Sequence, residues 1–440
     1  MVTGLADRRA GRTATRPLPT ASYTLAMDAS TLDPAFDPTA PLPGPPDPWA
    51  STERPSARAA APYHMTEMIE AEPALAERIL ERHAAVGSPA AELARIIRRT
   101  IRAGDPVVVT GCGTSEHAAL GVAEILRDAV RTAEIRAPGH TSRREPIAAQ
   151  AFELSLDPPS SGLVIAISHE GATAATNAAL EAARAAGART ALVTVSDRSP
   201  GAALADVVVD TGELDQSWCH TVGYVSPLVA GVAIGAHLTG RPVDAALRAA
   251  IHDLLAAGVD RSSIAEAVAG RLAHASGLLV IASGADRSAG RELALKIEEG
   301  TWLPTAFREL ETFLHGHLAA TDEHTGLILV LTDRQRRPER LARASGALRA
   351  ARAIGIETAA IISADAAADL PTELTSAGRT VVPEAADLPN PVAALLGTAT
   401  PVQVLTERLA RARGVNPDPI HRDDDRYRAA ADAADAIDPS

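Results

Sequence analysis

The sequence has few aromatic residues: Trp, Tyr and Phe make up 2% of its 440 residues, whereas hydrophobic residues make up 46%. The apolar residues are therefore mainly Ala, Val, Leu and Ile, which suit helices packed closely on a sheet. A chain of this length is too long for one ordinary core, so we expect at least two domains.

Cysteine is also scarce, with only Cys112 and Cys219. Two cysteines cannot make a disulfide framework, and the sequence has no CxxC or HExxH metal pattern. We therefore expect two small buried thiols, no metal and no cofactor.

We find no apolar run of the roughly 18–20 residues that span a bilayer, and the start of the chain lacks the apolar core of a signal peptide. A cytoplasmic protein without membrane contact is expected. Acidic residues outnumber basic ones by 55 to 42, and the net charge of −13 argues against a nucleic-acid partner. A small anionic ligand stays compatible, because a pocket can differ in charge from the whole chain.

Proline is concentrated near the N-terminus, where ten prolines lie between Pro17 and Pro55. Such a stretch cannot hold a helix or a central strand, so we predict a disordered Pro-rich extension over residues 1–60. A functional tail is the alternative. The rest divides into a first domain, residues 61–250, with N-terminal helices, and a second domain, residues 251–440, with a C-terminal tail.

Short apolar runs without polar alternation alternate with helical segments along the rest of the chain. Such runs indicate an α/β fold with parallel sheets that are covered by helices on both faces. Helices are predicted over residues 66–103 and through most of 225–275. The predicted strands are at residues 107–109, 163–167, 191–195, 207–209, 278–282, 327–331, 358–362 and 380–382. Periodicity alone thus predicts two similar halves.

Two loops of small and hydroxyl residues follow the first two predicted strands, and each precedes a helix. Residues 110–115 are TGCGTS, and residues 168–173 are SHEGAT. Glycine lets the backbone approach a ligand, hydroxyls donate hydrogen bonds, and a helix N-terminus offers free N–H groups. Ligands bind beyond the carboxyl ends of strands in such sheets, so the loops predict a shared anion or sugar site. The first loop alone is equally compatible with a simple helix cap.

The second half carries acidic and basic groups at helical spacing. Glu292, Lys296 and Glu299 lie at i, i+4 and i+7, on one face of a helix. His315 follows between apolar residues and a glycine. A carboxylate and an imidazole together can move a proton between adjacent sugar carbons and open the ring. Taken separately, the helix is compatible with a solvated ion-pair face, and His315 with a structural histidine.

In combination these motifs resemble the sugar isomerase (SIS) family, in particular the isomerase half of glucosamine-6-phosphate synthase. Five motifs occur in the family's order within residues 65–430: the sugar-phosphate loop at 111–115, the phosphate loop at 167–173, the catalytic helix at 292–299, the His-Gly pair at 315–316 and the closing helix at 390–414.

The resemblance implies two flavodoxin-like SIS domains and a homodimer whose active sites are shared between subunits. It also implies that Glu299 shuttles a proton between C1 and C2 of a sugar phosphate, that Lys296 lies beside the site, and that His315, from the partner subunit, opens the ring. The implied substrate-binding residues are Gly113, Thr114, Ser115, Ser168, His169, Glu170 and Thr173.

The sequence departs from the family in three places. It has no glutaminase domain with a leading cysteine, and no lysine at the family's C-terminal catalytic position near residues 414–424, so a full synthase is not expected. Glu170 replaces a serine of the phosphate loop. A carboxylate about 4 Å from a phosphate oxygen would cost roughly 4 kcal/mol at an effective dielectric near 20.

Two hypotheses accommodate Glu170. Either its side chain points away while Ser115 and Thr173 bind phosphate, or the ligand carries an amine or hydroxyl at that point. A protonated His169 would soften the conflict. Further along, Trp218 and His220 are candidates for lining the pocket. For Trp218, a place in the core is the alternative.

The predicted function is sugar-phosphate binding, with activity as an amino-sugar phosphate isomerase or deaminase on substrates of the glucosamine 6-phosphate and fructose 6-phosphate type. The alternatives are a non-catalytic sugar-phosphate sensor and an isomerase or aminotransferase subunit lacking its glutaminase. The presence of both Glu299 and His315 favours catalysis.

Overall fold

The computed structural model describes residues 36–51, 58–137 and 144–435, and its described residues from 37 onward form one compact unit. Most of the predicted disordered extension lies outside the described residues. Within it, Leu42 is buried, and its N–H donates to Glu213 Oε2 at 2.8 Å. Leu214 N–H donates to the carbonyl oxygen of Pro43 at 2.8 Å. This part of the N-terminal segment therefore packs on the first half of the chain.

Strands and helices alternate through the described residues. The strands are β1 (Val107–Gly111), β2 (Ile147–Gln150), β3 (Leu163–Ile167), β4 (Arg189–Thr194), β5 (Val207–Asp210), β6 (Gly277–Ala282), β7 (Thr305–Glu309), β8 (Thr325–Leu331), β9 (Glu357–Ser363) and β10 (Gly378–Val382). The helices are α1 (His64–Arg82), α2 (Pro89–Ala103), α3 (Thr114–Thr132), α4 (Ala151–Leu156), α5 (Ala174–Ala186), α6 (Val222–Thr239), α7 (Ala245–Val259), α8 (Ser262–Leu272), α9 (Asp286–Thr301), α10 (Leu310–Leu314), α11 (Arg337–Ile354), α12 (Ala364–Asp369), α13 (Asn390–Ala412) and α14 (Asp425–Asp435).

The strands form two five-stranded sheets in which every pairing is parallel. Their orders are β2-β1-β3-β4-β5 and β10-β9-β8-β6-β7. Numbered within its own half, each sheet has the same order, 2-1-3-4-5, which is the flavodoxin-like arrangement. The predicted α/β fold with two similar parallel sheets, each sandwiched by helices, is confirmed.

All the predicted strands are present, but the sequence analysis missed β2 and β7. Both are edge strands, beside β1 and β6 respectively. Their sequences, IAAQ and TAFRE, contain no continuous apolar run, and Ile147 is about half exposed. The other two edge strands, β5 and β10, contain adjacent valines and were predicted. β2 and β7 were therefore missed because they lack such β-branched runs, which an edge strand does not need for burial on two faces.

Helix α6 corrects the expectation that no apolar run is long enough to cross a membrane. It has 18 residues of suitable composition, but 89% of it is buried inside the described structure. It packs against α1, α2 and α3. We therefore interpret α6 as a core helix of the first half.

Helix α13 joins the two halves. Its 23 residues pack against α7, α8 and α9 and also against α1, α3 and α6. Helix α9 of the second half consequently lies against α3 of the first. The division into residues 61–250 and 251–440 stays a prediction, because α7 continues across residue 250 and the halves form one unit.

The crossing of α7 and α13 is too close for a side chain at Gly258. A Cβ there would lie 2.0 Å from Thr400 Oγ1 and 2.6 Å from Pro401 Cδ. We expect Gly258→Ala to lower the free energy of unfolding by about 1–3 kcal/mol, because the added methyl overpacks this contact. Denaturant unfolding measures the change.

The control is Gly270→Ala on the exposed face of α8, where no atom lies within 4 Å of the added Cβ. We expect this variant to be neutral or more stable by up to about 1 kcal/mol. Equal effects of the two substitutions would contradict the close crossing.

Candidate functional site

The first loop follows β1 at the carboxyl edge of the first sheet. A Cβ on Gly111 would lie 2.6 Å from the Ser115 carbonyl group, and Gly113 has a φ of +57°. Only glycine fits the first position, and it is favoured at the second. The tight turn places Thr114 and Ser115 in the first turn of α3, where Thr114 is buried and Ser115 half-buried.

The second loop follows β3, which pairs directly with β1. Ser168 is buried, and its hydroxyl donates to Thr173 Oγ1 at 3.4 Å. Glu170 is half-buried in the same loop. Gly171 has a φ of +69°, and a Cβ there would lie 2.1 Å from Ser199 Oγ. The two hydroxyl-bearing loops thus lie side by side, as the sequence predicted.

Helix α9 brings Glu292 to the first loop, with Lys296 and Glu299 next to it on the same helix face. Thr114 Oγ1 donates to Glu292 Oε1 at 3.3 Å, and His117 Nδ1 lies 2.8 Å from Glu292 Oε2. Lys296 Nζ lies 3.8 Å from Glu292 Oε1 and donates a hydrogen bond to Glu299. Because Glu292 and Lys296 are fully buried, the solvated ion-pair interpretation of this helix face is wrong.

Lys296 of this group is charged, and one of its two carboxylate partners is accessible to solvent. Burial disfavours the ammonium of Lys296, but the carboxylates of Glu299 and Glu292 outweigh burial and raise the Lys296 pKa above its ordinary value. Lys296 is therefore charged at neutral pH and cannot act as a base. The side chain of Glu299 is 24% exposed, whereas that of Glu292 is inaccessible. Of the two carboxylates, Glu299 is thus the one that is accessible to solvent.

Asp215, which the sequence analysis missed, organises the segment beneath the second loop. It is buried and accepts hydrogen bonds from the N–H groups of Ser217, Thr221 and Gly223 at 3.0, 2.7 and 3.3 Å. Burial alone would raise the pKa of Asp215, but His220, whose Nδ1 lies 3.7 Å away, lowers it. Its place two residues before a serine is the local signal for such a capping carboxylate.

The backbone N–H of Asp215 also determines the tautomer of His169. The Asp215 N–H donates to His169 Nε2 at 2.9 Å, which assigns the ring proton to Nδ1. Burial lowers the pKa of His169 to about 4. His169 is consequently neutral at pH 7, so the hypothesis that its protonation softens the charge of Glu170 is wrong.

Of the two cysteines expected to be buried, Cys219 is buried, whereas Cys112, in the first loop, is only half-buried. Cys219 is buried, its thiol lies 3.9 Å from the Lys296 carbonyl oxygen, and burial raises its pKa well above the usual range. Cys112 is half-buried, accepts from Gln150 Nε2 and Thr176 Oγ1 at 3.8 Å, and burial also raises its pKa. Neither is a thiolate nucleophile at neutral pH.

Trp218 and His220 occupy different places. Trp218 is half-buried, with the Arg422 guanidinium 4.7 Å from its ring centroid, so it faces the C-terminal segment. The ring of His220 lies 5.4 Å from that of His169. His220 is therefore the one beside the second loop.

His315 is not brought to this group within the described chain. It ends α10 with a side chain that is 69% exposed, and its Nε2 lies 2.6 Å from Glu311 Oε1. Glu311 in turn pairs with Arg343.

The sequence analysis did not identify three residues that support the site: His117, Ser288 and Tyr224. Tyr224 OH lies 2.9 Å from Ser288 Oγ, which donates to the His117 carbonyl oxygen at 2.7 Å. The spacing of His117 three residues after Thr114 is a signal that could have placed it on the same helix face. In the part of the chain that the structure describes, no group of three or more His, Cys, Asp or Glu residues is arranged to hold a metal ion.

Comparisons with known proteins support the fold. No protein-family model matches the chain, and no curated protein matches its sequence. Among solved structures, the C-terminal domain of glucosamine-fructose-6-phosphate aminotransferase from Francisella tularensis aligns with a TM-score of 0.68 at 14% identity, covering 82% of this chain and 99% of that one. Tagatose-6-phosphate ketose/aldose isomerase from Escherichia coli aligns at 0.66 and 18%, covering 84% and 98%. Glucosamine-6-phosphate deaminase from Thermotoga maritima aligns at 0.58 and 17%, covering 81% and 97%. At these identities the likeness establishes the fold.

The low pKa of His169 predicts a pH-dependent contribution to stability. Its folded pKa of about 4 lies below the ordinary 6.5, so the contribution is complete above pH 6.5 and is lost as the pH falls towards 4. It amounts to at most about 3 kcal/mol. In His169→Gln, whose amide oxygen can accept the same hydrogen bond, we expect the stability deficit relative to wild type to shrink between pH 7 and pH 4.5.

Denaturant unfolding at several pH values makes the comparison, with the exposed His274→Gln as the control. A His169→Gln deficit that is constant with pH would show that His169 is not held neutral.

Proposed function

We propose that this protein, a double SIS domain by its fold, binds a phosphorylated amino sugar between its first two loops and interconverts aldose and ketose forms by proton transfer. One observation supports this proposal most directly. The Glu292–Lys296–Glu299 group of α9 meets the Thr114 loop at the carboxyl edge of the first sheet, where open α/β sheets bind ligands.

The phosphate would lie between the loops, at the N-termini of α3 and α5. The hydroxyls of Ser115 and Thr173 are candidate donors there, and helix N-termini favour anions. Those of Thr114 and Ser168 would turn from Glu292 and Thr173 to donate to the phosphate. The neutral His169 holds the loop from beneath through its bond with the Asp215 backbone.

Glu299 would be the base. Its carboxylate takes the proton from C2 and returns it to C1, while a second proton moves from the oxygen or nitrogen on C2 to the oxygen on C1. With a 2-amino sugar the product is a ketimine, and a deaminase would add water to it and release the ketose and ammonia. The ammonium of Lys296 donates a hydrogen bond to Glu299 and holds its carboxylate in place.

A ring-opening group has to come from elsewhere. His315 is exposed and paired with Glu311 in the described chain, so the proposal takes His315 of the partner subunit in a homodimer for this role. A cytoplasmic homodimer is part of the proposal.

Glu170 supports an amino sugar over a neutral one. Glu170 is half-buried in the loop that would hold the phosphate, and its carboxylate would attract an ammonium or hydroxyl of the ligand.

Replacing Glu299 tests the mechanism. We expect Glu299→Gln to reduce kcat by about 10²–10⁴-fold, the usual contribution of a general base, while the affinity changes little. Thermal shifts with glucosamine 6-phosphate, fructose 6-phosphate and N-acetylglucosamine 6-phosphate identify the ligand, and isomerisation and ammonia-release assays measure turnover. The control is Glu298→Gln, an exposed neighbour on α9. A fully active Glu299→Gln would remove Glu299 from this role, and no shift with any hexose phosphate would overturn the proposal.

Replacing Glu170 tests the choice of ligand. We expect Glu170→Ser to increase the preference for glucosamine 6-phosphate over glucosamine by about tenfold, because a negative charge beside the phosphate is removed. Calorimetric titration of both ligands gives the ratio, with the exposed Glu181→Ser of α5 as the control. If the ratio stays the same, Glu170 does not select the ligand.

A further inference from the structure

The second sheet has a cavity at the point that corresponds to the proposed sugar site of the first. In the order β10-β9-β8-β6-β7 the connections change direction between β6 and β8. A cavity of about 550 Å³ lies beyond the carboxyl ends of these two strands. It is lined by Gly284, Ala285 and Arg287 after β6, by Asp333, Arg334 and Gln335 after β8, and by residues of α3, α11 and α13. Ligands of open α/β sheets bind at this topological switch point, and the volume lies in the range of small-molecule sites.

The loops of this second cavity are held by carboxylates rather than hydroxyls. Asp333 is buried and accepts from the Ala285 N–H at 2.8 Å and from Asn390 Nδ2 at 2.7 Å. Asp286 is buried and accepts from the N–H groups of Thr332 and Asp333 at 2.7 and 2.9 Å. Because these loop amides are already bonded, an anion in this cavity has to be recognised by side chains.

Five arginines line the cavity: Arg127, Arg131, Arg287, Arg334 and Arg340. Four of them are paired with carboxylates: Arg127, Arg131 and Arg287 with those of Glu124, Glu145 and Glu309, and Arg340 with that of Asp333 at 3.6 Å. These four therefore carry little free charge, and recognition of an anion falls mainly to Arg334.

Arg334 is the exception among the five. It is half-buried, and its guanidinium donates to the carbonyl oxygens of Glu384, Ala385 and Leu388 at 3.5, 3.4 and 2.6 Å. Within the described residues no carboxylate lies at ion-pair distance from it. Arg340 lines the same cavity. Its guanidinium donates to Ser283 Oγ at 2.9 Å and lies 3.6 Å from the Asp333 carboxylate. A partly desolvated guanidinium without a counter-charge favours an anion.

We infer that this cavity is a second ligand site, which takes a phosphorylated polyol with its phosphate on Arg334 and Arg340. The carboxylates of Glu124 and Asp128 and the amide of Asn390 also line the cavity. They supply acceptors for hydroxyl or amine groups of the same ligand, so the recognised class is a sugar phosphate rather than inorganic phosphate.

Calorimetry with glucosamine 6-phosphate and with inorganic phosphate tests this site separately from the proposed catalytic one. A Thr114→Val/Ser168→Ala double variant weakens the first site alone. In that background we expect glucosamine 6-phosphate to bind at one equivalent per chain, at least about tenfold more tightly than inorganic phosphate. Gln335→Glu, which places a negative charge in the cavity without removing an arginine, should weaken this binding at least tenfold, and Arg334→Gln should do the same.

The control is Arg336→Gln, an exposed arginine outside the cavity lining, which should bind as the parent does. Binding that is lost entirely in the double variant, or that is unaffected by Gln335→Glu, overturns the second site and leaves the proposed function standing. Binding that survives the double variant but is lost with Gln335→Glu supports the second site, whatever happens at the first.

Discussion

The buried ammonium of Lys296 is the constraint around which the site is arranged. Removing an ion of this size from water costs several kcal/mol, and only partners with good geometry offset that cost. Glu292 and Glu299 on the same helix supply the opposite charge. Glu292 is in turn bonded to Thr114 and His117 of α3. The ion cluster formed by Glu292, Lys296 and Glu299 thereby connects the second half of the chain to the first loop.

This arrangement separates the roles of the two carboxylates. Glu292 is fully buried and bonded on both oxygens, so it serves to position Lys296 and α3. Glu299 is also paired with the ammonium but is partly exposed, which is why the proposed function assigns the base to it. On the opposite wall, Asp215 fixes His169 as a neutral acceptor. The proposed site thus combines one accessible carboxylate with uncharged hydroxyl and imidazole groups, as the proposed proton transfer on an anionic sugar requires.

The two halves repeat the fold but not the loop chemistry. The loops of the first sheet carry hydroxyls. Those of the second are joined by hydrogen bonds to the carboxylates of Asp286 and Asp333. Burial raises the pKa of Asp286 to about 6. Helices α3 and α9 contribute to both ends: each carries residues of the ion cluster, and each also lines the second cavity. A ligand in either place therefore contacts the same pair of helices.

The sequence by itself determined the features that depend on near neighbours along the chain. Runs of Val, Ile and Leu marked the central strands, glycines and hydroxyls marked the turns that end β1 and β3, and the spacing of Glu292, Lys296 and Glu299 placed them on one helix face. Only the tertiary structure decided that this face is buried, since the bond between Thr114 and Glu292 joins residues 178 positions apart. It likewise decided that β2 and β7 pair at sheet edges, that His169 is neutral and that α6 lies in the core. Burial and hydrogen-bond partners depend on contacts between segments that are distant in the sequence, and the local periodicity of the sequence does not reveal these contacts.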